Sequence, residues 1–241
     1  LTLVLLYFAD RGGYYLKQSD FDPAIREFTR AIQRTPARSG VYVSRALAYM
    51  NLLELGQARS DIERALALDP SNFLAWTLRG ELLAQDSQYQ PALEAYNRAI
   101  EIRPNWNVAF LDRGSLHQEQ GRLVEALADI DHSIELAHGA AINHLLRSIL
   151  RYQMGDKAGS QRDADQALRY APHWMLVFPE IFLENLKGHL NWALDYYWRA
   201  LQHMPKAYQA YQGRADACRI HGQYKWAIAD YERAIRLAPR Q

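Results

Sequence analysis

A six-residue phrase returns along this chain at an almost fixed step, and that periodicity limits the fold more than any other feature. Ala-Leu-Ala-Leu-Asp-Pro ends at Pro70, Ala-Ile-Glu-Ile-Arg-Pro at Pro104 and Ala-Leu-Arg-Tyr-Ala-Pro at Pro172. Related phrases end at Pro36, Pro205 and Pro239, and an altered one at His138, giving steps of 34, 34, 34, 34, 33 and 34 residues. Self-similarity with a period of roughly 20–50 residues marks an array of stacked repeats. With the proline at position 32, the seven units run approximately 5–38, 39–72, 73–106, 107–140, 141–173, 174–207 and 208–241.

Residue size is periodic in the same frame. Position 20 holds Ala24, Ala58, Ala92, Ala126, Ser160, Ala193 and Ala227; position 27 holds Ala31, Ala65, Ala99, Ser133, Ala167, Ala200 and Ala234. Position 8 is small in six units, and position 24 is aromatic in Phe28, Tyr96, Tyr197 and Tyr231. Position 4 carries Phe8, Tyr42, Trp76, Phe110, His144, Val177 and Tyr211. Small residues let two helix backbones approach, and large ones fill the space beside them. The pattern resembles the tetratricopeptide-repeat (TPR) family along essentially the whole chain. The resemblance implies an all-α fold: a right-handed superhelical solenoid of seven antiparallel helix pairs, about fourteen helices, forming one domain over 1–241 with a concave inner face.

Helix punctuation agrees. Gly121, Gly155, Gly188 and Gly222 fall at position 15, where a helix end calls for a left-handed residue. Six of nine prolines stop the second helix at position 32, and Pro23 and Pro91 fall in its first turn, where proline is tolerated. Pro179, at position 6 of the sixth unit, is outside this logic. The step into that unit, from Pro172 to Pro205, is one residue short, and the unit carries the apolar stretch Trp174–Leu183, which reads either as drift in a tolerant repeat or as a shifted helix presenting Phe178 and Phe182.

Position 7 is arginine in six units and position 23 is acidic in five of them. The pairs are Arg11 with Glu27, Arg45 with Asp61, Arg113 with Asp129, Arg147 with Asp163 and Arg214 with Asp230. Arg79 has Ala95 at that place, with Glu94 adjacent. A salt bridge repeated between the helices of each hairpin follows from the pairing, and an arginine ladder gripping an acidic ligand is the alternative.

By resemblance, first-helix positions 2, 5, 9, 12 and 13 line the inner groove. In units four to six they give an apolar stripe with Val108, Leu111, Ile142, Leu145, Ile149, Tyr152, Met175, Phe178, Phe182 and Leu186. An exposed apolar stripe implies a protein, peptide or helix partner; ordinary packing is the alternative. The lysines and asparagines with which some family members hold a C-terminal carboxylate are missing: position 5 has Ala9, Val43, Thr77 and Leu111, and position 9 has Gly13, Leu47, Glu81 and Ser115. Position 6, the place of an asparagine ladder in other arrays, has Asp10, Ser44, Leu78, Asp112 and Leu146.

Twenty-eight basic against 27 acidic residues leave a formal charge of +1, which argues against a general nucleic-acid binder. RNA binding by a helical-repeat protein is kept as an alternative. A single cysteine, Cys218, excludes an intramolecular disulfide, and no phosphate loop, nucleophile elbow or zinc-protease helix is present. The expectation is a non-catalytic interaction scaffold without cofactor or metal. The apolar start LTLVLLYFA is too short to span a bilayer. It is compatible with a membrane segment upstream of Leu1, and uncovered end repeats are compatible with homo-oligomers; the sequence leaves the location unknown, with cytoplasmic and membrane-anchored both open.

Overall fold

The computed structural model describes residues 2–170 and 190–238. Among these there are thirteen α-helices and no strand. They are α1 (Thr2–Lys17), α2 (Phe21–Arg34), α3 (Ser39–Asn51), α4 (Leu55–Leu68), α5 (Phe73–Gln85), α6 (Tyr89–Ile102) and α7 (Asn107–Glu119). Then follow α8 (Leu123–Leu136), α9 (Ala141–Gln153), α10 (Lys157–Tyr170), α11 (Leu190–His203), α12 (Tyr208–Ile220) and α13 (Tyr224–Leu237). After α1, each first helix (A) covers positions 1–13 of its repeat and every second helix (B) covers positions 17–30. The sequence alone leads to one continuous array; the structure has two compact units, 1–136 and 137–241. The first contains four helix pairs, α1 to α8. Pro179, Met175, Phe178, Phe182, Leu186 and Gly188 lie outside the described residues.

The turn between A and B is the same in each repeat that is described there. Position 15 is left-handed at Ser19 (φ 57°), Leu53 (60°), Ser87 (58°), Gly121 (71°), Gly155 (85°) and Gly222 (74°). The amide of position 16 then donates to the carbonyl of position 11, as from Glu54 to Tyr49 and from Arg122 to His117, both at 2.9 Å. This pairing satisfies carbonyls the helix end leaves open, and it demands a positive φ whether or not glycine supplies it. Three repeats therefore hold a non-glycine residue in a conformation that costs it about 1–2 kcal/mol.

Packing inside each hairpin trades volume between positions 8 and 24. A Cβ on Gly80 would lie 2.6 Å from the Tyr96 ring, and one on Gly12 would lie 2.5 Å from the Phe28 ring. Where position 24 is the narrower Ile62, position 8 is fully buried Ala46. Where position 24 shrinks to Ala164, Trp192 of α11 fills the core and donates its indole N–H to Ser148 Oγ at 2.9 Å. Position 4 has a second role besides bulk. Tyr42, Trp76, His144 and Tyr211 each bond the carbonyl six residues earlier, at 2.9–3.3 Å, tying helix A to the end of the preceding repeat. His138, which replaces proline, still supplies this carbonyl.

Each A helix of the first unit after α1 also packs on the preceding B helix, and successive A helices approach one another more closely than successive B helices do. The A layer is thus the inner side of that unit. Position 10 of helix A is buried where a B helix precedes it, as at Ala48, Leu82 and Leu116, whereas Tyr14 of α1 is 61% exposed. On α13, Ile228 and Ile235 are likewise exposed. No helix among the described residues is long and apolar enough to cross a membrane.

Candidate functional site: the inner face of the first unit

The five arginine–acid pairs are brought together. Arg45 makes two bonds of 2.7 Å to Asp61, Arg113 makes bonds of 2.8 and 2.6 Å to Asp129, and Arg214 makes bonds of 2.7 and 2.8 Å to Asp230. Asp163 is held by Arg147 and also by Arg151, and Arg11 lies 3.9 Å from Glu27. Burial of these aspartates beneath forked guanidinium contacts makes the pairs part of the framework. The bond to Asp61 raises the Arg45 pKa further, against the opposing effect of burial. Arg79 departs from the expectation, because its partner is Glu63 of the preceding repeat at 3.3 Å and not Glu94. That contact belongs to a second series the sequence reading missed: Arg45 donates to Thr29 at 2.9 Å and Arg113 to Asn97 at 2.6 Å, each sixteen residues back. The signal was present, since position 25 is polar in each of those repeats.

The apolar stripe is divided. Leu145 and Ile149, expected on an open groove, are each 1% exposed and sit in a core cluster with Ala164, Trp192 and Tyr197. Trp192 takes the volume that Ala164 leaves, so these two side chains are packing residues. Leu111 is half-buried, Ile142 is exposed, and Tyr152 is partly buried beside Trp192. Met175, Phe178, Phe182 and Leu186 are outside the described residues.

In the first unit the inner face breaks into three neighbouring subsites. Each is framed by positions 5 and 9 of one A helix and positions 2 and 6 of the next, over the position 24 side chain between them. Between α1 and α3, Ala9, Gly13, Gly40 and Ser44 leave a cavity of about 550 Å³ above Phe28. Between α3 and α5 the same places hold Val43, Leu47, Leu74 and Leu78 over Ile62, with Leu47 and Leu74 each 38% exposed. Between α5 and α7 they hold Thr77, Glu81, Val108 and Asp112 over Tyr96. The first subsite is small-lined, the second apolar and the third acidic.

The acidic subsite is electrostatically unusual. Burial and the neighbouring Glu81 push the Asp112 carboxyl up to about 7. Burial also raises Glu81 and Glu119. The Tyr96 hydroxyl is pushed up by burial and then by Asp112, Glu81 and Glu119. In the second unit, burial raises the Cys218 thiol of α12, which leaves it a packed, unreactive group. Among the described residues no cluster of His, Cys, Asp and Glu is suited to hold a metal ion.

Comparison with known proteins gives matches to family models described as tetratricopeptide repeat over residues 43–105 and 208–241. The chain is 34% identical over 86 residues to small glutamine-rich tetratricopeptide repeat-containing protein 2 of Saccharomyces cerevisiae, covering 36% of this chain and 25% of that protein. It is 30% identical over 87 residues to the Hsp70-Hsp90 organizing protein of Triticum aestivum, covering 36% of this chain and 15% of the relative. The chain thus matches a quarter or less of the length of these relatives. Among solved structures, PilF of Pseudomonas aeruginosa superposes with a TM-score of 0.65 at 17% identity, covering 88% of this chain and 97% of that one.

Proposed function

Since this chain belongs to the tetratricopeptide-repeat family, we propose that it is a non-catalytic protein-interaction scaffold whose first-unit inner face receives a peptide segment of a partner protein. The observation that carries the reading is the row of three chemically distinct subsites at equivalent repeat positions. A row of that kind reads a sequence, because successive side chains of one bound segment meet different surroundings. The half-exposed Leu47 and Leu74 offer an apolar anchor at its middle. The small-lined cavity beside them, about 550 Å³ and open to solvent, has room for a side chain of the ligand.

The named relatives include an Hsp70-Hsp90 organizing protein, and a partner from that system is one candidate. The chemistry of this face favours a different ligand from an acidic tail, because Glu81 and Asp112 stand at positions 9 and 6 in place of basic or amide groups. The same carboxylates oppose RNA phosphates.

Selection of a random dodecapeptide phage library against the 241-residue chain tests the reading. Selected peptides are expected to bind the wild type and to lose at least tenfold in affinity on Leu47→Glu/Leu74→Glu, with circular dichroism unchanged. Peptides that bind that variant as well as the wild type would move the site off this face.

A further inference from the structure

The fork that the position 7 arginine extends backwards has no receiver in the last repeat. Arg45 and Arg113 give two nitrogens to the aspartate of their own hairpin, and the third, Nη1, to Thr29 and Asn97 at position 25 of the repeat before. Arg214 gives Nε and Nη2 to Asp230 in the same way. Sixteen residues back, however, stands Trp198, at a place where the other six repeats have Thr29, Glu63, Asn97, Asp131, Asp165 and Glu232. An indole donates a hydrogen bond and accepts none. Nη1 of Arg214 accordingly has no hydrogen-bond partner among the described residues. In place of the missing acceptor there is open space, a cavity of about 500 Å³ lined by Leu194 and Trp198 of α11, Arg214 and Cys218 of α12, and Trp226 of α13. Trp198 is 53% exposed and Trp226 is 71% exposed. Neither indole N–H has a hydrogen-bond partner among the described residues. The two acids in the lining are already answered, since Asp195 accepts from Arg199 at 2.8 Å and Asp230 from Arg214. The cavity thus joins aromatic faces to unmatched N–H donors, and each charged group in its lining is paired.

We propose that this cavity is a second docking site, which takes a proline-rich extended segment of a partner protein. The donors and the aromatic faces select that ligand together. Proline carries a backbone carbonyl and no N–H. A run of prolines therefore offers acceptors and apolar rings, and asks for no acceptor in return. In the left-handed extended helix that such runs adopt, the backbone makes no internal hydrogen bonds and its carbonyls stay free to accept. The helix is formed before binding, so docking it on an aromatic-lined groove costs little ordering. Its carbonyls meet Nη1 of Arg214 and the indole N–H groups, and its rings lie on Trp198 and Trp226. An acidic segment fits less well, because Asp195 stands in the lining and the guanidinium of Arg214 is already matched to Asp230. The site lies wholly within 137–241. It shares no residue with the inner face of the first unit and does not depend on the reading of that face.

The test is calorimetry on the whole 241-residue chain with acetyl-decaproline-amide, beside two peptides of equal length, a glycine–serine repeat and a glycine–glutamate repeat. Two variants address the cavity. Trp226→Ala removes one wall. Trp198→Thr removes the other and gives Arg214 the hydroxyl that Thr29 gives Arg45. Both tryptophans are exposed, and circular dichroism and urea unfolding check that each variant stays folded. Tyr224→Ala, exposed on α13 but outside the lining, controls for general aromatic adhesion. The expected result is one decaproline bound per chain, with affinity at least tenfold weaker in each cavity variant and changed less than twofold in Tyr224→Ala. The glycine–serine peptide should not bind, and Trp198→Thr should keep wild-type stability, which separates its loss of binding from unfolding. Failure of decaproline to bind the folded wild type would overturn the site, as would equal weakening in Tyr224→Ala. Tighter binding of the glycine–glutamate peptide, lost in the cavity variants, would overturn the ligand assigned to it. Decaproline binding that ignores both cavity variants but is lost in Leu47→Glu/Leu74→Glu would place the segment on the first-unit inner face and remove this inference alone.

Discussion

Removing the carboxylate of Asp61 is the sharpest perturbation of the framework. Asp61 is 4% exposed, and it accepts two bonds of 2.7 Å from Arg45, whose side chain is 16% exposed. In Asp61→Ala the guanidinium keeps Thr29 but loses both charge-assisted bonds, each worth about 1.5–3 kcal/mol. An uncompensated, largely buried cation remains, so the cost is about 3–5 kcal/mol. Two comparisons isolate the cause. Glu232→Ala, which removes the partner of Arg236 in a pair of 3.7 Å that is about 60% exposed at both ends, should cost about 0–1 kcal/mol. The apolar replacement Arg45→Met/Asp61→Leu should recover most of what Asp61→Ala loses, since no charge is then stranded. Urea unfolding gives the total, and hydrogen exchange of α3 and α4 localises it, because repeat arrays open in parts. A loss below about 1 kcal/mol for Asp61→Ala would refute the argument. A double replacement as damaging as the single one would refute it too.

Leu53 is exposed at φ 60°, so Leu53→Gly should stabilise the second repeat by about 1 kcal/mol in the same urea assay. Gly80→Ala places a methyl 2.6 Å from the packed Tyr96 ring and should cost about 1–3 kcal/mol, whereas Gly56→Ala, with open space around it, should not. The folded-state pKa of Asp112 lies above the ordinary aspartate value of 3.8, so the folded chain holds that proton more tightly and loses stability as pH rises from 3.8 to about 7. Asp112→Asn should flatten this slope, with a gain at pH 8 of at most about 4 kcal/mol, reduced by the partial solvent access of the carboxyl; an unchanged slope would contradict the burial argument.

Much of the framework was readable because it depends on residues that recur. Ala24, Ala58 and Ala92 at one place, and Pro36, Pro70 and Pro104 at another, are visible in a linear string once the step is known. Arg45 and Asp61 were pairable for the same reason. The left-handed turn was legible where glycine marks it, at Gly121 and Gly155, and hidden at Ser19, Leu53 and Ser87, where the carbonyls to be satisfied impose it on any residue. The candidate site was much less legible. Leu145 and Ile149 sit at groove positions in the frame, yet Trp192, more than forty residues away, packs over them. Glu81 and Asp112 come from different repeats and different positions, so no periodic pattern joins them. Only adjacency across two A helices brings Glu81 within electrostatic reach of Asp112.

The arginine at position 7 looks both ways, sixteen residues forward to an aspartate and sixteen residues back to Thr29 or Asn97. One repeat therefore carries an outgoing fork for its predecessor and, at position 25, a receiving group for its successor. When a gene segment encoding such a repeat is duplicated in tandem, the new copy arrives with both halves of the joint already in register. It engages the units on either side without further substitution, and the array lengthens by whole repeats. Loss of the arginine from one copy has the opposite outcome. In the sixth repeat, where Glu180 takes its place, the sequence is released from the pairing constraint and free to diverge.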